Sequence, residues 1–143
     1  MISVIYILNG PNLNLLGQRE PEVYGTQSFE AYLESIREQF PFVHIHYFQS
    51  NHEGFLIDKL HEVGFNEETG IVLNAGGLSH TSISLRDAVS AIAAPTVEVH
   101  ISDIRKREEF RHHSYLTDVC VAHFIGQGVL GYDSGIEYLL APE

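Results

Sequence analysis

The chain has 143 residues, enough for one domain with a sizeable core, and we treat residues 1–143 as a single domain. Its formal net charge of −11 argues against nonspecific binding to nucleic acid or to an anionic membrane. No apolar run approaches the roughly 20 residues that span a bilayer, and no basic region precedes the first apolar run, so we expect a cytoplasmic protein.

Cys120 is the single cysteine. We expect a buried, inert thiol, and neither an intrachain disulfide nor a cysteine-based zinc site is possible.

Short apolar runs alternate with amphipathic segments along the chain. The pattern predicts, in chain order, a strand over 2–8, a helix over 29–40, a strand over 42–48, a helix over 53–63, a strand over 70–73, a helix over 82–93, strands over 96–101 and 119–125, and a short final helix over 135–140. Such alternation is typical of a parallel sheet with helices on both faces. We therefore predict an α/β, flavodoxin-like three-layer sandwich with a parallel five-stranded sheet in the order 2-1-3-4-5. A Rossmann-type sheet is less favoured, because no Gly-x-Gly-x-x-Gly follows the first strand.

The first connection of this pattern is unusually long. The apolar run ends at Leu8 and helical spacing resumes near Phe29, whereas a strand-to-helix connection ordinarily takes roughly two to six residues. Long connections in compact chains are usually functional or disordered. This one contains three asparagines, Arg19 and Tyr24, which is not the composition of a disordered segment. We predict a working loop whose residues 17–26 form a mobile lid over a site.

Polar residues follow the ends of four predicted strands. They lie at 9–12, 51–52, 74–80 and 100–103. Ligands of open α/β sheets bind beyond the carboxyl ends of the strands, which meet at one edge of the sheet. The sequence therefore predicts one site at this edge.

The segment 74–82 places Gly76 and Gly77 between a strand and a helix. Paired glycines let backbone N–H groups approach a ligand, and a helix N-terminus favours negative charge. The spacing and the lysine of a Walker phosphate loop are absent, and a carboxylate or a polyol suits the segment equally well. A glycine turn followed by a serine cap is the purely structural alternative.

Cations are concentrated in one segment of this acidic chain. Four of the eight Lys and Arg residues fall there: Arg105, Lys106, Arg107 and Arg111. The concentration favours a local site for an anion. An exposed helix end paired with Glu108 and Glu109 is the alternative.

Candidate acid and base residues lie in two of these segments. Glu98 and His100 alternate near a strand end, so they share one side of the strand, and a carboxylate beside an imidazole can orient a general acid. Arg19 lies five residues before Tyr24, and a nearby arginine stabilises a phenolate. A tyrosinate base opposite a histidine acid suits proton abstraction beside a carbonyl, followed by loss of water. The nine histidines lack the spacing of a local metal site, and we expect no metal.

Taken together, these motifs resemble those of the type II 3-dehydroquinate dehydratases. The matching segments are 9–17, 19–21, 24–25, 49–54, 74–77, 80–82, 98–102, 107–111 and 114–116. The resemblance implies a flavodoxin-like hydro-lyase of the shikimate (chorismate biosynthesis) pathway that forms 3-dehydroshikimate. It implies no cofactor, no metal and no Schiff base. It also implies a homo-oligomer, a dodecamer built from trimers.

The resemblance also implies a role for each matching residue. Tyr24 would remove a proton from C2 of the substrate, and Arg19 would keep Tyr24 ionised and stabilise the transition state. Asn12 would help to hold the enolate. His100 would protonate the departing C1 hydroxyl, and Glu98 would orient His100. The substrate carboxylate would be bound by Asn74 and by the backbone of Ile101 and Ser102. The ring hydroxyls would be bound by His80 and Arg111. Arg107 would enter the closed site, and Asp87 would reach a neighbouring subunit's site.

The chain departs from the family pattern over 103–106, at 117–118 and in the weak helical character of 131–140. We expect none of these departures to touch an assigned catalytic position. Two other function classes stay open from the residues alone. A flavodoxin-like binding module could hold an anion without chemistry. Flavin binding is disfavoured, because the loop after the first strand lacks a Ser/Thr-rich phosphate cradle.

Overall fold

The computed structural model describes residues 1–18, 22 and 27–142. Within them, the strands and helices are β1 Val4–Asn9, α1 Phe29–Gln39, β2 His44–Gln49, α2 Glu53–Val63, β3 Thr69–Asn74, α3 Ile83–Ala91, β4 Thr96–His100, β5 Ala122–Ile125 and α4 Leu130–Leu140. The strands form one parallel sheet in the order β2-β1-β3-β4-β5. The predicted fold class and strand order are therefore confirmed.

Two apolar layers cover the sheet, because buried side chains alternate along its central strands. In β3, Val72 faces the layer formed with α1 and α4, whereas Ile71 and Leu73 face the layer formed with α2 and α3. Every residue of β3 is buried, as is typical of a central parallel strand. The sheet is thus the middle layer of three, and its strand ends lie between the two helical layers.

Local signals set the ends of several helices. The Ser28 side chain accepts a hydrogen bond from the Ala31 N–H at the start of α1, and Ser82 accepts one from Leu85 at the start of α3. The C-terminus of α2 lies at Gly64, as predicted. None of the helices within the described ranges is long and apolar enough to cross a bilayer.

Two predicted boundaries near the C-terminus were wrong. The strand predicted over 119–125 begins only at Ala122, because Thr117–Val119 forms a 3₁₀ turn. The helix predicted over 135–140 begins at Leu130. A Cβ added at Gly131 would lie 3.1 Å from Val99 Cγ1, so this glycine lets the helix pack closely on β4. Packing therefore stabilises a helical turn that local propensity disfavours.

Cys120 is partly buried rather than fully buried as expected. Burial raises the pKa of its thiol to about 12, with a smaller contribution from the negative charge of Glu98. The thiol therefore stays protonated at neutral pH and is a poor nucleophile.

Candidate active site

A cleft of about 170 Å³ lies at the carboxyl edge of the sheet. Its lining includes eight of the residues singled out from the sequence: Asn12, Asn74, His80, His100, Ile101, Ser102, Arg107 and Arg111. They come from the loops after β1, β3 and β4 and from the cationic segment 105–111. Parallel strands place these loops side by side, so residues distant in sequence meet at one edge.

Four predicted residues are not part of this lining. Arg19 and Tyr24 lie outside the described residues, as does most of the predicted lid over 17–26. Asp87 is exposed on α3 and does not line the cleft. Glu98 is fully buried and contacts His100.

The cleft also has lining residues to which no role was assigned from the sequence. They are Pro11, Leu13, Gly76, Gly77 and Ile104. The two glycines belong to the segment in which backbone groups were predicted to approach a ligand. Nothing in the sequence distinguished the apolar Leu13 and Ile104 from core residues.

Glu98 and His100 form a buried pair at the end of β4. His100 Nε2 lies 2.6 Å from Glu98 Oε2, and the two residues are 4% and 0% exposed. An ionised carboxylate can only accept hydrogen bonds, so Nε2 carries a proton and donates it to Glu98. The other ring nitrogen, Nδ1, has no hydrogen-bond partner among the described residues and is available to a ligand in the cleft. The pair can therefore present an oriented proton donor.

Two hydroxyl groups hold the Glu98 carboxylate. Thr117 Oγ1 donates to Oε1 at 2.6 Å, and Ser114 Oγ donates to Oε2. Burial alone would raise the pKa of the Glu98 carboxyl, but the hydrogen bond and charge of His100, together with these hydroxyls, lower it below its usual range. The expectation that the departure at 117–118 touches no assigned position was wrong, because Thr117 contacts Glu98 directly.

The loops after β1 and β3 pack backbone against backbone beside this pair. A Cβ on Gly10 would lie 2.4 Å from the carbonyl oxygen of Ala75, so the contact requires glycine. Asn12 follows with a left-handed φ of 71°, and its N–H donates to Asn51 Oδ1 at 2.9 Å. This bond to the loop after β2 holds Asn12 at the rim of the cleft.

Backbone donors of the two residues that follow His100 also belong to the cleft. The N–H groups of Ile101 and Ser102 have no hydrogen-bond acceptor among the described residues, and both residues line the cleft. Successive backbone N–H groups form a good site for an anion. The arrangement suits a carboxylate next to the buried side chain of Asn74.

His80 is the second histidine of the cleft, and its ring centroid lies 6.0 Å from that of His100. Its Nδ1 lies 2.8 Å from the carbonyl oxygen of His113, so Nδ1 carries the proton and Nε2 can accept. Burial lowers the pKa of His80, and electrostatic interactions with His100 and Arg111 lower it further. A neutral His80 can therefore accept a hydrogen bond from a ligand hydroxyl. The part of the chain that the structure describes contains no group of three His, Cys, Asp or Glu side chains that could hold a metal ion.

The cationic segment pairs with Glu108 and also faces the cleft. Arg111 Nε lies 3.0 Å from Glu108 Oε1, and Arg107 Nε lies 3.8 Å from the same oxygen. Both arginines line the cleft, with side chains 23% and 17% exposed. The predicted pairing with Glu108 is present for Arg107 and Arg111, but the segment forms short 3₁₀ turns rather than a helix end, and both arginines also line the cleft.

Comparison with known proteins identifies the family. The family model of class II dehydroquinases matches residues 3–140. The chain belongs to this family of hydro-lyases. A 3-dehydroquinate dehydratase of Chlorobaculum tepidum is 50% identical to it over 137 residues, 95% of this chain and 93% of the relative. A catabolic 3-dehydroquinase of Phaeosphaeria nodorum is 51% identical over 143 residues, covering 96% and 91% of the two chains.

The solved structures agree with this assignment. The crystal structure of a type II dehydroquinase from Butyrivibrio crossotus matches with a TM-score of 0.93 and 41% sequence identity, covering 98% of this chain and 99% of its own. The resemblance noted from the motifs is therefore confirmed for both family and fold.

Proposed function

We propose that this chain dehydrates 3-dehydroquinate to 3-dehydroshikimate by general acid–base catalysis through an enolate. The observation that carries the proposal is the buried Glu98–His100 pair, which opens onto an anion-binding cleft in a member of this family. No metal or cofactor takes part in the proposed steps.

His100 supplies the acid. With Nε2 bonded to Glu98, a protonated ring donates from Nδ1 to the C1 hydroxyl of the substrate. The negative charge of Glu98 stabilises the imidazolium, and its burial strengthens that interaction. The C1–O bond breaks and the hydroxyl leaves as water.

Tyr24 supplies the base in this proposal. Its phenolate takes the C2 proton, and the electrons of the C2–H bond form the enolate, which Asn12 helps to hold. Arg19 stabilises the phenolate, and the lid over 17–26 brings both residues to the substrate. When the C1–O bond breaks, the enolate electrons form the C1=C2 double bond. The cycle leaves an extra proton on Tyr24 and removes one from the acid nitrogen of His100. Solvent must therefore take a proton from Tyr24 and return one to His100 before the next turnover.

The remaining cleft residues bind the substrate. Asn74 and the backbone N–H groups of Ile101 and Ser102, which have no acceptor among the described residues, hold the carboxylate. His80 Nε2 accepts from a ring hydroxyl, and Arg111 binds beside it. Arg107 adds positive charge over the bound anion.

Ultraviolet absorbance tests this function, because the new double bond conjugates with the ketone. Wild-type protein should produce 3-dehydroshikimate, and Tyr24→Phe should abolish turnover. Tyr138→Phe is a matched control, because its hydroxyl bonds to the Val121 carbonyl, away from the cleft. Absence of turnover by the wild type would refute the function, and full activity of Tyr24→Phe would refute the assigned base.

We further propose that the chain acts in the shikimate pathway to chorismate. Several relatives are named catabolic enzymes, so the biological role is tested separately. The gene should restore growth without aromatic amino acids to bacteria that lack their own dehydroquinate dehydratase. Failure to do so by an enzyme active in vitro would favour a catabolic role.

Asp87 acts across a subunit contact in this proposal. It is exposed on α3 and does not line the cleft of its own chain, which agrees with a role at the site of a neighbouring copy. We propose a dodecamer built from trimers. Light scattering that shows a monomer at assay concentration would refute this assignment, and Asp87→Asn should raise KM without changing the assembly.

A further inference from the structure

The Tyr132 hydroxyl joins the ends of two central strands beneath the cleft. Tyr132 lies on α4 and is completely buried. Its Oη donates to Asn9 Oδ1 at 2.8 Å and accepts from Asn74 Nδ2 at 2.9 Å. Asn9 and Asn74 are the last residues of β1 and β3 and pair in register. One hydroxyl on a helix thus connects both strand ends.

Hydrogen-bond polarity then sets the orientation of the Asn74 amide. A tyrosine hydroxyl has one proton, and Tyr132 gives it to Asn9, so its oxygen faces a donor on Asn74. At the other end of the amide, Asn74 Oδ1 accepts from the Gly76 N–H at 3.1 Å. Both ends of the amide are held, and one Nδ2 hydrogen remains for a ligand. Asn74 therefore presents a donor to the cleft.

We infer that Tyr132 is a positioning residue that holds the Asn74 amide in its substrate-binding orientation. The inference rests on the proposed function, because the Asn74 donor matters when a carboxylate is bound. Without the hydroxyl, Asn74 Nδ2 loses a buried acceptor and Asn9 Oδ1 loses a buried donor. The amide would then lose one of the two contacts that define its orientation.

The surrounding rings allow the hydroxyl to be tested separately from the packing. The Tyr132 ring lies 4.9 Å from Phe29 in an edge-on arrangement and 5.9 Å from Tyr32. Phenylalanine at position 132 would keep these contacts. Tyr132→Phe therefore removes the two hydrogen bonds and leaves the aromatic cluster in place.

Steady-state kinetics on the full-length protein test the inference. Tyr132→Phe should raise KM roughly tenfold and lower kcat less, since binding of the carboxylate is weakened. Tyr32→Phe is the matched control. Its hydroxyl donates to Asp133, the next residue on α4, and Tyr32 does not line the cleft. Both substitutions should lower the melting temperature, but only Tyr132→Phe should change KM.

A double-mutant cycle shows whether Tyr132 acts through Asn74. If it does, Tyr132→Phe should leave KM unchanged in an Asn74→Ala background. Additive effects, or an unchanged KM for Tyr132→Phe alone, would overturn the inference. If Tyr132→Phe does not fold, Asn9→Ala replaces it in this test. Asn9 does not line the cleft, and without its Oδ1 the proton of the Tyr132 hydroxyl is free to point elsewhere.

Failure of the proposed function gives a different result. In that case the wild type itself shows no turnover. Titration calorimetry then measures the affinity of the wild type and of the same variants for 3-dehydroquinate. A weaker affinity for Tyr132→Phe but not for Tyr32→Phe would still support the positioning role. Equal affinities would overturn it.

Discussion

The two walls of the cleft are built differently. At the ends of β3 and β4, Asn74, Glu98 and His100 are buried, and hydrogen bonds within the protein orient them. On the other wall, Arg107 and Arg111 are partly exposed and lie beside the exposed carboxylate of Glu108.

The difference separates two tasks of the site. A buried wall oriented by internal hydrogen bonds keeps a proton donor in one orientation and strengthens its electrostatic interactions. A partly exposed cationic wall attracts an anion and can exchange one carboxylate partner for another at little cost, since surface ion pairs contribute little. Substitutions that disturb the Glu98–His100 pair of the buried wall should therefore affect mainly kcat, whereas those on the cationic wall should affect KM, as should those that disturb the carboxylate-binding Asn74.

Glu98→Gln should have the largest effect. The amide cannot stabilise the imidazolium of His100 by charge, so kcat should fall by about 100-fold or more, within the range of general acid catalysis. Initial rates at saturating substrate measure the effect, with circular dichroism as the control for folding. Near wild-type kcat would show that the buried wall does not supply the acid.

Thr117→Val should have the next largest effect. It removes the donor to Glu98 Oε1 and keeps the shape of the side chain, whereas Thr117→Ser keeps the hydroxyl. We expect kcat to fall about tenfold in the valine variant, because a buried carboxylate oxygen is left without a donor. The serine variant should stay close to wild type. Equal losses in the two variants would point to packing as the cause.

Glu108→Gln should affect mainly KM, by roughly threefold. The substitution removes the negative charge beside Arg111 and Arg107. Both arginines then become more available to the substrate anion, so KM should fall at low salt. Added salt should diminish the change, since exposed charges are screened. Glu109→Gln is the control on the same segment. A change in kcat without a change in KM would contradict the division between the walls.

Acid pH should reveal the smallest effect, on stability. In the folded protein the pKa of Glu98 lies below its ordinary value of 4.5. Burial alone would raise this pKa, but the hydrogen bonds from His100 and the two hydroxyls lower it by more. Its stabilising contribution is therefore complete above pH 4.5 and is lost as the pH falls through the lower folded value. The free energy of unfolding, measured with urea, should fall more steeply on acidification for wild type than for Glu98→Gln. Parallel curves would contradict this.

Parts of the site could be predicted because they depend on local spacing. Two-residue alternation placed Glu98 and His100 on one side of a strand, and strand ends indicated the edge at which polar residues meet. Thr117 and Tyr132 escaped prediction for the opposite reason. They contact Glu98 and Asn74 across 19 and 58 residues of sequence, and no local pattern marks such pairs.

The sequence by itself determined the alternation of strands and helices, the order of the sheet through the fold class it indicates, and the family. These follow from periodicity, capping residues and motifs, which are local properties of the chain. Only the tertiary structure decided where β5 and α4 begin, which hydroxyls hold Glu98 and which tyrosine holds Asn74. Each of these depends on a contact between distant segments, and such contacts form only when the layers pack.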